Sequence, residues 1–95
     1  MNNANFEFLM KVGYPDGIGK KIAHDLDSLS PELKPLWMAY IENKEEQADF
    51  SVGEFSIRKF MEKEKMNYIA AILTIDWFIK DPKSALEGYR KGGVR

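Results

Sequence analysis

The sequence predicts an all-α protein, a compact single-domain bundle of five or six short helices spanning residues 1–95. Three observations carry this. Apolar residues recur at three- and four-residue spacing, helix start and stop residues punctuate the chain at short intervals, and no segment alternates like a strand. The stretch Tyr68 to Ile79 is apolar on nearly all sides, so the helix at about residues 67–80 is expected at the centre, buried by the others.

A first helix is expected from about Asn3 to Val12, with Phe6, Leu9 and Met10 on one face and Gly13 to end it. Tyr14-Pro15-Asp16-Gly17 reads as a tight turn, because proline fixes one dihedral, glycine supplies a left-handed one and Asp closes a local hydrogen bond. A second helix follows from Ile18 to Leu29, with Ile22, Leu26 and Leu29 in one row. Ser30-Pro31 has the form of a helix start. Pro35, however, lacks an N–H where the first helical bonds form, so a short turn followed by a helix from Pro35 is an equal alternative. Leu36, Trp37, Tyr40 and Ile41 make the buried stripe of this third helix. The acid-rich run Glu42 to Asp49 is its solvated end and connector.

Three more helices are expected between Phe50 and Gly92. Ser51 and Glu54 have capping-box spacing, and Phe50 and Phe55 flank them as a hydrophobic staple, which starts a helix with Ile57, Phe60 and Met61 inward. Asn67 caps the central helix, and Asp81-Pro82 ends it and opens the last one, where Ala85, Leu86 and Tyr89 share a face. Gly92-Gly93 stops that helix, and Val94 and Arg95 are expected to fray.

Composition narrows the function. Hydrophobic residues are 44% and charged residues 31%, the balance of a soluble globular chain. There is no cysteine, no cationic N-terminal leader and no apolar run of bilayer length, so no membrane insertion and a cytoplasmic location are expected. Net charge is -1, made of -4 up to Phe50 and +3 from Ser51 onward. A general nucleic-acid binder usually carries a stronger basic excess, because phosphate neutralisation supplies most nonspecific affinity.

The chain has one histidine, no HExxH and no phosphate-binding glycine loop, so no thiol nucleophile, standard zinc centre or nucleotide site can be assembled. We therefore expect no catalytic residues, no metal and no cofactor. Asp25-Leu26-Asp27 does not continue as a calcium loop, since Leu29 falls on a ligand position and Leu36 on the closing acid. His24 has Asp27 and Ser28 as helical neighbours, which fits a surface hydrogen bond. Asp76, the one acid of the central helix, needs a partner if buried, for which an Arg or Lys from the preceding helix or a helix N-terminus would serve. The pair of helices from Phe55 to Ile79 has helix-turn-helix outline, but its second helix offers almost no polar side chains for base edges, which marks it as core.

Gly17-Ile18-Gly19-Lys20-Lys21-Ile22-Ala23 resembles the hairpin and second helix of a helix-hairpin-helix motif over about a tenth of the chain, with Asp16 as a departure. The resemblance implies a phosphate contact through backbone N–H groups, with Gly17, Gly19, Lys20 and Lys21 at the contact. Arg58 and Lys59 would add charge if they lie on the same side. Aromatic residues are 13% of the chain, and Phe8, Tyr14, Trp37 and Trp77 are candidate anchors of a protein interface. The function expected is a small non-enzymatic protein-binding module, an adaptor, regulator or inhibitor of a larger protein, a size common among inhibitors encoded by mobile elements. The alternative is nucleic-acid backbone binding through Gly17 to Lys21, and a third role is homo-oligomer formation through the apolar C-terminal helices.

Overall fold

The computed structural model describes residues 4–92, so the expected start at Asn3 and the fraying of Val94 and Arg95 lie outside the described residues. Its elements are α1 (Ala4–Val12), α2 (Asp16–Asp27), α3 (Lys34–Glu42), a hairpin of β1 (Ser51–Val52) and β2 (Phe55–Ser56), α4 (Ile57–Lys63), α5 (Tyr68–Lys80) and α6 (Pro82–Gly92). This is a small all-α bundle with a two-strand ornament. Its radius of gyration is 12.9 Å, near the ~12 Å of a compact chain of this length.

Helix α1 stops at Gly13, whose φ of +106° only glycine adopts without strain. Tyr14 N–H donates to the Leu9 carbonyl and Gly13 N–H to that of Met10, closing the end as a Schellman motif. Helix α2 begins two residues earlier than expected, at Asp16, because Gly17 takes helical rather than turn geometry. It packs back on α1. Gly19 makes the approach close, since a Cβ there would stand 2.3 Å from the end of Met10. The turn before α3 runs to Leu33, which settles the Pro31 and Pro35 alternatives in favour of the later start.

The expected capping box is corrected. Ser51 lies in β1, paired with Ser56, and Gly53 takes φ +61° in the two-residue turn. That is the positive first position a type II′ hairpin demands, and Gly meets it without cost. The pairing seats Phe55 under Phe78 and Tyr89, with ring centroids 4.6 Å and 5.2 Å away, so the staple with Phe50 does not form. The true cap is Ser56, whose Oγ accepts from Lys59 N–H at 3.1 Å. Asp49 Oδ1 accepts from Arg58 N–H at 2.9 Å and satisfies a second orphan donor. Ser56→Ala is therefore expected to cost about 1 kcal/mol, and Ser51→Ala, on an exposed strand, less than about 0.5 kcal/mol. Urea unfolding of the two variants checks this, and a larger loss at Ser51 would refute the assignment.

Helix α5 packs against both α4 and α6 and carries the core. Ala71, Ile72 and Ile75 are fully buried, with Tyr68, Ile69 and Phe78 nearly so. Asn67 caps it, accepting from Ala70 N–H at 2.8 Å, and Asp81 accepts from Ser84 N–H at 3.2 Å to start α6. Two aromatic groups fill the bundle. Phe8, Trp37, Tyr40 and Tyr68 meet at one end, and Phe55, Phe60, Phe78 and Tyr89 at the other. Most of the aromatic surplus is thus interior. The Tyr68 hydroxyl donates to the Ala48 carbonyl at 3.0 Å. Burial first, then the charge of Asp49 and the neighbouring Tyr40, push this phenol up to about 12, so it stays a donor.

Asp76 is buried and paired, as a carboxylate in an apolar helix must be. Its partners were not foreseen. Ser30 donates to Oδ1 through both N–H (2.9 Å) and Oγ (2.7 Å), and Lys80, one turn along α5, lies 2.8 Å from Oδ2. Lys80 Nζ also donates to the Ser28 carbonyl. The group clamps the α2–α3 turn onto α5.

Candidate surface groove along the central helix

The residues of the helix-hairpin-helix resemblance do not form one open anion site. Gly19 is buried, and its N–H already donates to the Pro15 carbonyl at 2.7 Å. Lys20 lies 3.4 Å from Asp16 and Lys21 3.9 Å from Asp25, each one helical turn apart. These exposed pairs contribute little stability, but they lower the local positive potential. Gly17 is exposed, and the first turn of α2 has no side-chain cap. Arg58 and Lys59 stand on α4, which packs on α5, whereas Gly17 to Lys21 stand on α2, which packs on α1. Lys59 Nζ donates to the Glu54 carbonyl at 3.1 Å. His24 is exposed, 4.0 Å from Asp25 rather than bonded to Asp27, whose Oδ1 accepts from Asn5 at 2.7 Å.

The four aromatic candidates separate. Trp37 is corrected: it is buried, and its Nε1 donates to Asn5 Oδ1 at 2.8 Å, so it serves the core. Phe8 is half-buried, edge-on to Trp37 and Tyr40, with the Lys44 ammonium 5.8 Å from its ring centre. Tyr14 is half-buried, and its hydroxyl accepts from Asn67 Nδ2 at 3.0 Å. Trp77 is 37% exposed. Its indole lies across Gly88 of α6, where a Cβ would come within 2.6 Å of the ring. The outer edge of its six-membered ring abuts the Gly88 backbone, so the indole is exposed yet braced on one side.

Beside Trp77 runs a groove between α2 and α5. Ile22 and Asp25 form one wall, Ala70, Leu73 and Trp77 the other, and Tyr14 and Asn67 close its head, enclosing about 440 Å³. It continues past Trp77 into a smaller hollow lined by Ser28, Asp76 and Lys80, of about 280 Å³. Ile18, more than half exposed, is one turn before Ile22 on α2 and extends the apolar wall. At the other end, Tyr14, Asn67 and Ile69 are shared with a cleft of about 430 Å³ that Val12, Gly13, Pro15, Tyr40 and Lys44 complete.

Leu73 and Lys44 were not singled out from sequence, and Ile22 and Tyr40 were read as buried faces rather than as site residues. The spacing of Ala70, Leu73 and Trp77 was the available signal, but in a helix apolar all round it marks no face as outer.

No group of three or more His, Cys, Asp or Glu among the described residues could hold a metal ion, and no described helix is long and apolar enough to cross a membrane. No protein-family model, no curated protein and no solved structure matches this chain.

Proposed function

We propose that the protein is a protein-binding module, an adaptor, regulator or inhibitor, and that the groove between α2 and α5 receives the partner. The observation that supports this is Trp77, a partly exposed indole braced against Gly88 at the rim of an apolar channel. A rigid aromatic beside a preformed groove loses little side-chain entropy on binding, which is why Trp dominates interface energetics. The channel follows α5 for most of its thirteen residues, about 20 Å at 1.5 Å per residue, enough for three turns of a docked helix or a short extended segment.

The test compares the wild-type chain with Trp77→Ala and Leu73→Glu as baits in lysate of the source cells. A protein held by the wild type and lost by both folded variants is the expected result. Retention by both variants, or no protein held by the wild type, would reject the groove. A gel shift with random duplex at low salt addresses the nucleic-acid alternative, which requires a shift that Lys20→Ala/Lys21→Ala abolishes. Light scattering addresses self-association, which requires a mass that rises with concentration.

A further inference from the structure

We infer that the cleft at the head of the groove is a carboxylate-binding site, and that the partner segment is acidic, placing an Asp or Glu side chain there while flanking apolar residues occupy the groove beside α5. This rests on the groove reading above. Its basis is a set of donors lining one cleft with no carboxylate among the described residues to meet them: two tyrosine hydroxyls and the Lys44 ammonium, which also lies over the Phe8 ring at 5.8 Å from its centroid. Lys44 is the only charged residue lining it, and among the described residues no carboxylate lies within ion-pair distance of its ammonium. The Tyr14 hydroxyl already accepts from Asn67 and keeps its own proton to donate. The Tyr40 hydroxyl has no hydrogen-bond partner among the described residues. Burial, and then the nearby Tyr14, raise its pKa above the ordinary phenol value, so it too remains a donor.

Two tyrosine rings alone would also suit a cation. Lys44 decides the sign, because a second cation would be repelled by an ammonium that no described carboxylate neutralises, whereas a carboxylate gains a charge-assisted bond from it. The acids Glu42, Glu45 and Glu46 of the neighbouring segment are exposed and do not line the cleft. Val12, Pro15 and Ile69 supply apolar wall beside these donors. The cleft shares Tyr14, Asn67 and Ile69 with the groove, so one segment can fill both.

The experiment is a titration of the isotope-labelled protein, followed by 1H–15N NMR, with the blocked peptide Ac-Leu-Glu-Leu-NH2 and its neutral counterpart Ac-Leu-Gln-Leu-NH2. The acidic peptide is expected to shift the amides of Gly13, Tyr14, Asn67 and Ile69. A peptide this small binds in the millimolar range, so titration extends to about 10 mM. Lys44→Gln is expected to weaken the acidic peptide about fivefold, Tyr40→Phe to weaken it while preserving the fold, and Lys83→Gln on α6 to change nothing. Equal shifts with the neutral peptide, shifts unaffected by Lys44→Gln, or no shifts at these amides would each overturn the proposal. The titration needs no native partner, so it fails independently of the lysate comparison.

Discussion

Ile72→Asp is expected to leave the chain unfolded at 25 °C, seen as loss of a cooperative melt and of near-ultraviolet signal from the packed aromatics. Ile72 is fully buried at the centre of α5, the helix on which α4 and α6 both pack. Removing its side chain forfeits about 2–5 kcal/mol of packing. The carboxylate adds a desolvation penalty of several kcal/mol, since Ile72 sits inside the apolar core and the new group must be protonated or drag in water. A chain of this size has roughly 5–14 kcal/mol of stability in total, and the two losses together consume most or all of it. Leu73→Glu, on the neighbouring but half-exposed position, is expected to fold, because its carboxylate reaches the groove and solvent. A near-native melt of Ile72→Asp would show that α5 is not the core.

Asp76→Ala is expected to cost about 3 kcal/mol, the second-largest effect of a single substitution. It strips the acceptor from the Ser30 N–H and Oγ, both in a buried turn, and unmet buried donors cost about 1–3 kcal/mol each. The Lys80 contact adds less, because its side chain is 46% exposed and can turn to water. Asp76→Asn keeps one acceptor for Ser30 and is expected to lose about half as much. Lys80→Met is expected to be milder still. Denaturant unfolding of the three variants gives the order, and an Asp76→Ala loss below about 0.5 kcal/mol would place that turn elsewhere. The clamp also lines the lower end of the groove, so Asp76→Ala should disturb partner binding through the position of Ser28 and Lys80.

The boundaries that sequence reasoning placed correctly share one property. Asn67 meets its helix three residues on, Asp81 does the same, and Gly13 closes α1 on carbonyls three and four residues back. Their energetics are contained in a few neighbouring residues. Ser51 failed for the opposite reason. Its local pattern matched a cap as well as that of Ser56, and the difference was Phe55, drawn to Phe78 and Tyr89 from distant helices. The interior lost by a helical Phe55 outweighs the ~1 kcal/mol of a cap.

The candidate site was less legible still. Trp37 and Trp77 are the same residue type on apolar helices, yet Trp37 is buried on Asn5, 32 residues away, and Trp77 lies open on Gly88. Gly88 reads in sequence as a weak helix residue, and only the crossing of α5 and α6 makes it a seat for an indole. Lys44 reads as one charge in an acidic run. It becomes the charge of a cleft because the α1–α2 turn and the cap of α5 bring Tyr14 and Asn67 beside it.

By itself the sequence determined the helical class, four of the six described helices to within two residues, the central place of α5 and the need of Asp76 for a partner. These follow from apolar periodicity, short-range caps and the cost of burying a charge, all properties of a residue and its near neighbours. The tertiary structure alone decided the hairpin at Gly53, the identity of Asp76's partners, which tryptophan is open, and the groove that joins α2 to α5. Each depends on contacts between residues far apart in the chain, where small differences in buried area and hydrogen-bond satisfaction select among local patterns of nearly equal energy.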